Sequence, residues 1–433
     1  MALSVDTGQV AANTGSATTT ITVTAQGKAI ILWTTGQTST GSDAAANAMF
    51  SIGFADGTNV RSEGWASDDN VGTTNCGKFL ASAYALRILS NGAPTTVLGI
   101  TGVTFTNATT TTLTWEGTPA AAYLISYMQL GGSDITNVLV GTHTMSTGTG
   151  DKTETGVGFE GDFGMFLFAG MTSSTTTTRA NASIGFACKV NDAGTSRARQ
   201  FGMAWGIDDG ANMTTTIDAV SYTNSTNFLA YITDGAETID VLGQFGTATV
   251  PLGFASNGFR YNLSNASATN AQLMYYLIIQ GGQWDAGTTT MPSSATRTVS
   301  GLAFTPNGLA LAWGGNTANA TVTATTTIAQ QLSGFGAATS TSTEAMGTAT
   351  QVDAVLNTQV QRWTESTKIA AEATSVDFSA FASGEWSINA ASSNDAVQLG
   401  WFVMADNAVV FPPEDTPWER FPIQLPEPII TVF

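Results

Sequence analysis

Residues 254–262 read Phe254-Ala255-Ser256-Asn257-Gly258-Phe259-Arg260-Tyr261-Asn262, and Gln272-Leu273-Met274-Tyr275-Tyr276-Leu277 follows them. The pattern is an aromatic strand, a polar turn and a second aromatic strand. It recurs as Phe381-Ala382-Ser383-Gly384-Glu385-Trp386-Ser387-Ile388-Asn389 and Gln398-Leu399-Gly400-Trp401-Phe402-Val403, at offsets of 127 (381 − 254) and 126 (398 − 272) residues. A looser copy lies upstream at Phe105, Leu113-Thr114-Trp115 and Tyr123-Leu124-Ile125-Ser126-Tyr127. A hairpin that occurs three times predicts a domain that occurs three times.

Other landmarks recur in the same order. Ser51-Ile52-Gly53-Phe54-Ala55 reappears as Ser183-Ile184-Gly185-Phe186-Ala187, with a remnant at Ser333-Gly334-Phe335-Gly336-Ala337. We align Trp33 with Phe168 and Trp313 at the end of an apolar run, and Trp65 with Trp205. The predicted units are 27–152, 153–297 and 298–411, the third being degenerate. An N-terminal arm, 1–26, and a Pro-rich C-terminal arm, 412–433, flank them. In the first arm, Ala17–Thr24 is predicted to pair as an edge strand after a flexible segment.

The composition indicates an all-β protein. Charged residues make up only 11 %, and Thr, Ser, Ala and Gly take their place. Thr beside Val, Ile and aromatic residues favours a pleated, half-buried surface. The apolar runs are short and separated by hairpin-type dipeptides such as Asn91-Gly92 and Asp234-Gly235. A period near 140 residues is too long for propeller blades, which repeat about every 40–50 residues. We therefore predict three tandem β-sandwich repeats, jelly-roll-like, with extended arms.

Charge and the absence of sorting signals limit the classes of function. The chain has 14 Lys and Arg against 32 Asp and Glu, a net charge of −18. Such a surface repels phosphate backbones, so we expect no direct nucleic-acid binding. No apolar run is long enough for membrane insertion. The start, Met1–Asp6, lacks the features of a secretory signal, which predicts synthesis in the cytoplasm. Cys76 and Cys188 are expected to be buried as small apolar residues.

The C-terminal arm combines proline with large apolar side chains. Proline fixes an extended backbone and removes donors, so this segment is not a central strand. An apolar arm is unfavourable in water, so we expect it to lie in a groove of its own chain or of a neighbour, with Ile429–Phe433 able to join a sheet edge. The predicted partner-binding residues are Trp418, Phe421, Ile423, Leu425, Ile429, Ile430, Val432 and Phe433.

The candidate chemistry is sparse. Asp68, Asp69, Asp208 and Asp209 supply hard oxygen ligands in corresponding loops, which suits Ca²⁺, although loop aspartates also cap turns. His143, the only histidine, lies in a polar strand and is interpreted as a strand-surface residue. No catalytic elbow, phosphate loop or zinc cluster is present. The tryptophans are expected to be core residues, with sugar-binding platforms as the alternative.

In its small-residue, Thr-rich β style, repeated units and terminal arms, the chain resembles structural proteins of tailed-bacteriophage virions. The resemblance covers the whole chain in character and implies a virion building block, made in the host cytoplasm, with no catalytic step. It implies a capsid decoration (cement) protein whose partners are other virion proteins or copies of itself. The alternative is a tail fibre or receptor-binding protein that contacts host glycans. A secreted glycan-active enzyme is disfavoured by the missing signal and the lone histidine.

The calcium hypothesis predicts a thermal shift. If the loops of Asp68, Asp69, Asp208 and Asp209 bind Ca²⁺, the ion stabilises the folded state by mass action, and the melting temperature rises when it is added. Melting curves in calcium and in EDTA measure this. Identical curves discard the hypothesis.

Overall fold

The computed structural model describes residues 3–43, 47–68, 76–90, 96–178, 180–192, 195–207, 219–232, 239–245, 253–266, 271–321, 323–324, 333–351, 360–371, 374–390 and 396–407. Within these ranges the chain forms strands and no helix. The predicted all-β class is therefore confirmed. Because each sheet is built from strands of one contiguous stretch plus at most one strand from elsewhere, we describe the chain as three units.

The first unit spans residues 3–132. Its strands are β1 (Leu3–Ala11), β2 (Thr18–Thr22), β3 (Gly27–Thr34), β4 (Gly41–Asp43), β5 (Asn47–Ala55), β6 (Val60–Asp68), β7 (Cys76–Ala81), β8 (Leu86–Leu89), β9 (Thr96–Asn107), β10 (Thr110–Trp115) and β11 (Leu124–Gly132).

The second unit spans residues 135–281. Its strands are β12 (Ile135–Met145), β13 (Gly150–Thr155), β14 (Phe163–Phe168), β15 (Thr175–Thr178), β16 (Ala182–Asp192), β17 (Thr195–Ile207), β18 (Ala219–Asn224), β19 (Leu229–Ile232), β20 (Ile239–Gln244), β21 (Gly253–Ala255), β22 (Gly258–Asn265) and β23 (Gln272–Gly281).

The third unit spans residues 283–405. Its strands are β24 (Gln283–Thr290), β25 (Ala295–Ser300), β26 (Gly308–Trp313), β27 (Thr323–Ala324), β28 (Ser333–Ser340), β29 (Thr343–Gln351), β30 (Val360–Glu365), β31 (Ala370–Ala371), β32 (Ser375–Ala382), β33 (Glu385–Ala390) and β34 (Gln398–Ala405).

Each unit contributes one large and one small antiparallel sheet. The large sheets have the orders β1-β11-β3-β5-β6-β7-β15, β12-β23-β14-β16-β17-β18-β27 and β24-β34-β26-β28-β29-β30-β4. The small sheets have the orders β2-β10-β9-β8, β13-β22-β20-β19 with β21 on β22, and β25-β33-β32-β31. Within the aromatic repeats the paired strands are β9–β10, β21–β22 and β32–β33, whereas the aromatic strands that follow them, β11, β23 and β34, lie in the large sheets.

Short strands are exchanged between the units in a closed ring. β4 of the first unit pairs with β30 of the third, β15 of the second with β7 of the first, and β27 of the third with β18 of the second. Each donated strand follows the equivalent strand of its own unit (β3, β14 or β26) and completes the seventh position of the neighbouring large sheet. Every unit therefore donates one strand and receives one, and the cycle closes after three steps.

A single apolar core lies where the three large sheets meet. It draws buried residues from all three units, while the space between the two sheets of each unit holds a separate core. Aromatic contacts join each pair of units: Phe50 to Trp205, Phe186 to Phe402, and Trp33 to Phe335, with ring centroids 6.3, 5.1 and 5.0 Å apart. Burying such a side chain stabilises the fold by roughly 1.5–3 kcal/mol, so the inner sheet faces hold the ring together.

One glycine recurs at the same place in each large sheet for a steric reason. A Cβ on Gly53, Gly185 or Gly336 would lie 2.2, 1.5 or 1.8 Å from a backbone carbonyl oxygen. That oxygen belongs to the residue just before β8, β19 or β31, namely Ala85, Phe228 or Ile369. Only glycine lets the small sheet approach the large one so closely. This explains why the Ser-Ile-Gly-Phe-Ala motif is repeated.

The glycine register corrects part of the sequence alignment. Leu32, Phe166 and Leu311 pair with the three glycines, so Trp33 corresponds to Leu167 and Ala312, one residue earlier than predicted. Trp33 accordingly faces the central core, whereas Phe168 and Trp313 face the cores of their own units. The remnant Ser333–Ala337 is displaced by one residue as well, because Gly336 and not Phe335 corresponds to Gly53.

The predicted unit boundaries fall two strands late. β12 and β13 belong to the sheets of the second unit, and β24 and β25 belong to those of the third. The same displacement explains the N-terminal arm. Residues 3–11, predicted to be flexible, form β1 and pair with β11 over nine positions, while Thr18–Thr22 forms the predicted edge strand. The cause is that the first two strands of each unit carry little aromatic sequence.

The interface between the second and third units predicts a compensating pair. A Cβ on Gly400 would lie 2.1 Å from the Phe201 ring. Gly400→Ala is expected to destabilise the chain by about 1–3 kcal/mol through overpacking. Because Phe201→Ala removes the clash, the double variant should cost less than the sum of the two single variants. Urea unfolding measures all three.

Gly117→Ala is the matched control, since a Cβ there meets no atom within 4 Å. An effect of Gly400→Ala no larger than that of Gly117→Ala contradicts the packing described for this interface.

Candidate functional site

The predicted sites lie almost entirely outside the described residues. Asp69, Asp208 and Asp209 fall there, and so do all eight apolar residues of the C-terminal arm. Asp68 ends β6, where its backbone pairs with Asn47. In the described part of the chain no group of three or more His, Cys, Asp and Glu side chains could hold a metal ion. The calcium and arm hypotheses therefore stay predictions.

His143 is not a surface residue, so its interpretation from the sequence was wrong. It is only 6 % exposed. The strand β12 turns its side chain into the space between the two sheets of the second unit, where the ring packs against Phe259 and Tyr261. Its Nδ1 donates to Glu154, and the Tyr276 hydroxyl donates to the other Glu154 oxygen at 3.3 Å. Its Nε2 and the nearby Tyr261 hydroxyl are buried without a hydrogen-bond partner. Burial, and then the Glu154 charge, raise the pKa of Tyr261 and Tyr276.

Charged groups lie at the interface between the first and second units. Lys78 Nζ donates to the Ala169 carbonyl at 2.6 Å and to the Tyr231 hydroxyl at 3.0 Å. Burial raises the pKa of Glu63 well above its usual range, and the nearby charge of Lys78 offsets only part of this rise. Ionising the Glu63 carboxyl in this buried place is unfavourable, and the Lys78 ammonium beside it reduces that cost.

The other two interfaces use different polar contacts. Between the second and third units, Arg199 Nη1 donates to both carboxylate oxygens of Asp285, at 2.8 and 2.7 Å, and Asp285 is 2 % exposed. Between the third and first units, neutral side chains contribute hydrogen bonds: Trp65 Nε1 donates to Ser333 Oγ at 2.9 Å, and Thr7 Oγ1 donates to the Thr343 carbonyl at 2.7 Å. Each junction of the ring thus has its own polar pairing.

These interface residues were missed in the sequence. Lys78 is the one charged residue of the buried strand β7, whose sequence is Cys76-Gly77-Lys78-Phe79-Leu80-Ala81. A single charged residue in an apolar strand could have indicated a buried polar contact. The prediction for the cysteines is confirmed: Cys76 and Cys188 are buried. Burial raises the pKa of the Cys188 thiol well above its usual range, so it is not an activated nucleophile.

Glu344 occupies the place that Gln200 holds in the second unit. Gln200 bridges the two sheets, since its Nε2 donates to the Phe245 carbonyl at 2.8 Å and its Oε1 accepts from the Phe245 amide at 2.7 Å. Glu344 accepts from the Phe378 amide at 2.9 Å. Burial raises the pKa of Glu344 to about 8. Glu344 thus repeats the acceptor half of the Gln200 bridge, and a protonated carboxyl, like an amide, has both a donor and an acceptor.

A cleft opens where the first and third units exchange β4. It measures about 350 Å³, and its lining residues are Gly36, Ala48, Met49, Ala66, Ile88, Leu89, Ser90, Val97, Tyr123 and Arg362. All of them belong to the first unit except Arg362, which lies on β30 of the third. The walls are apolar and the charged group lies at one side, which is the usual composition of a binding pocket.

The aromatic residues give no platform for sugars within the described ranges. Eight tryptophans there are buried, Trp363 is partly buried, and Val97 is the one large apolar side chain that is exposed. The core interpretation of Trp33, Trp65, Trp115, Trp205, Trp313 and Trp386 is confirmed.

Comparison with known proteins gives no relative. No family model matches the chain, and no curated protein matches it. Among solved structures, the crystal structure of the LG1-3 region of the laminin alpha2 chain aligns over 92 % of both chains, at 8 % identity and a TM-score of 0.10. A likeness this weak carries no argument. No helix among the described residues has the length and apolar character needed to cross a membrane.

The raised pKa of Glu344 predicts that stability depends on pH. Between the unfolded value near 4.5 and the folded value of about 8, the unfolded chain loses this proton first, so the wild type loses stability as pH rises. Glu344→Gln has no proton to lose. Its stability relative to the wild type is expected to increase across this window, by up to about 5 kcal/mol. Urea unfolding from pH 4 to pH 9 measures the difference.

The reciprocal variant, Gln200→Glu, is the matched test. It places an acid at the equivalent position of the second unit and should introduce a loss of stability with rising pH. Parallel pH profiles for the wild type, Glu344→Gln and Gln200→Glu would show that neither position controls a buried proton.

Proposed function

We propose that the chain is a non-enzymatic structural protein of a tailed-bacteriophage virion. In this proposal it is a capsid decoration protein that binds neighbouring subunits through the segment 412–433. It is synthesised in the host cytoplasm and acts on the assembled particle. Its partners are other virion proteins, copies of itself included.

The closed ring of exchanged strands is the observation that carries this proposal. Three units of the same strand order are joined by β4, β15 and β27 around one shared core. A trimer formed from separate chains would reproduce this arrangement, but here one chain provides it. The units cannot dissociate at low concentration, which suits a component that must hold its shape on a particle.

The outer surface of the first unit supports protein contact more than chemistry. Two neighbouring strands of the small sheet, β2 and β10, present an uncharged face, because the side chains that alternate away from the core on them are all threonine. They are Thr18, Thr20, Thr22, Thr110, Thr112 and Thr114. These threonine hydroxyls carry no charge. Because charged residues are depleted from the centres of protein interfaces, such a face suits contact with a neutral protein surface.

Labelling of intact particles tests the proposal. Antibodies raised against the chain are expected to decorate the capsid surface of purified virions in electron micrographs. Labels confined to the tail would favour the fibre or receptor-binding alternative, and glycan-array binding would then test that role. Virions that carry no label overturn the proposal.

Removal of the arm tests the mode of attachment. Deleting residues 412–433 is expected to abolish binding to particles that lack the protein, while the thermal melt stays cooperative. Full-length chain with Glu427→Gln, which keeps the apolar residues of the arm and the acids beside Trp418, is the matched control. Undiminished binding of the deletion variant contradicts attachment through the arm.

A further inference from the structure

The cleft between the first and third units has an exposed apolar entrance. Val97, on β9, is 46 % exposed, while the apolar walls formed by Met49, Ile88 and Leu89 are 2–5 % exposed. Gly36 lies in the left-handed region with φ +71°, and a Cβ there would lie 2.6 Å from Met49 Sδ. A glycine at this turn therefore keeps the wall of the cleft in place.

We propose that this cleft binds Trp418 of a second copy of the chain. The inference rests on the proposed function, because it names the place where the attaching arm is held. An aromatic side chain buries about 150–250 Å² of surface, and the cleft offers apolar walls on one unit and a cation on the other.

Charge complementarity selects this segment. Arg362 is the charged residue that lines the cleft, in a protein with a net charge of −18. Trp418 lies between Glu414-Asp415 on one side and Glu419 on the other. An arginine has five N–H donors, so Arg362 can bind an incoming carboxylate beside the partners it already has. The aromatic ring of Trp418 therefore suits the apolar walls of the cleft, and the acids beside it suit Arg362.

The geometry of the first unit favours a neighbouring copy over the same chain. Asp406, near the end of the last described strand, accepts from the Leu3 amide at one end of β1. Tyr123 of the cleft accepts from Ala12 at the other end of β1. Nine strand residues separate these points by about 30 Å. The 11 residues from Asn407 to Trp418 (418 − 407) reach about 36–40 Å when fully extended. That length exceeds the straight-line distance by only about 6–10 Å, which a path around the surface of the unit would use up.

Disulfide trapping between two full-length chains tests the proposal. Full-length Val97→Cys is mixed with full-length Trp418→Cys under oxidised glutathione, and the native Cys76 and Cys188 are buried. We expect a linked dimer to form at least tenfold faster than with Thr101→Cys, an exposed position on the same strand. Adding Arg362→Gln to the Val97→Cys chain should slow the linkage severalfold.

Two results overturn the inference. One is a rate of disulfide formation with Trp418→Cys that is the same for Val97→Cys and Thr101→Cys. The other is a Val97→Cys, Trp418→Cys double variant that closes an intrachain disulfide at nanomolar dilution faster than the mixed chains react, which would assign the cleft to the same chain. The two proposals can fail separately. If deletion of 412–433 abolishes particle binding while disulfide formation with Val97→Cys is no faster than with Thr101→Cys, the cleft assignment fails and the proposed function stands. If binding survives the deletion, attachment through the arm itself has failed.

Discussion

Burial of the inner faces of the three large sheets is the constraint on which the structure depends. Each face carries aromatic and aliphatic residues that no single unit covers, such as Trp33, Phe186 and Phe402. Two related faces would leave a third side open to water, whereas three close a core. The exchanged strands β4, β15 and β27 add backbone hydrogen bonds at the rims of the same sheets. The ring is thus held by apolar burial at its centre and by strand pairing at its edge.

Polar contacts distinguish the three junctions, which the apolar core alone would leave nearly equivalent. Lys78 and Glu63 belong to the first junction, Arg199 and Asp285 to the second, and neutral hydrogen bonds such as Trp65 to Ser333 to the third. A buried charge without its partner is strongly unfavourable. A wrong pairing of units would leave such charges isolated, so these residues specify the cyclic order as well as contributing to stability.

The recurring aromatic and glycine positions made the hairpins and the repeated order predictable from the sequence. Gly53, Gly185 and Gly336 have a steric role that any sequence with this packing must keep. The strands β1, β13 and β25 were not recognised, because they are built largely from small polar residues whose partners are more than 80 residues away in the chain. His143 was misread for the same reason: a polar strand hides which face is turned inward. The cleft could not be predicted, because Arg362 and Val97 meet only through the exchange of β4.

Taken by itself, the sequence determined the all-β class, the repeated order of aromatic landmarks and the burial of the tryptophans. These follow from local alternation and from residue size, which act over a few positions of the chain. Only the tertiary structure decided the exchange of strands, the register within one residue, the raised pKa of Glu63 and Glu344, and the position of the cleft. Those features depend on which surfaces exclude water together, and that is fixed by contacts between residues far apart in the chain.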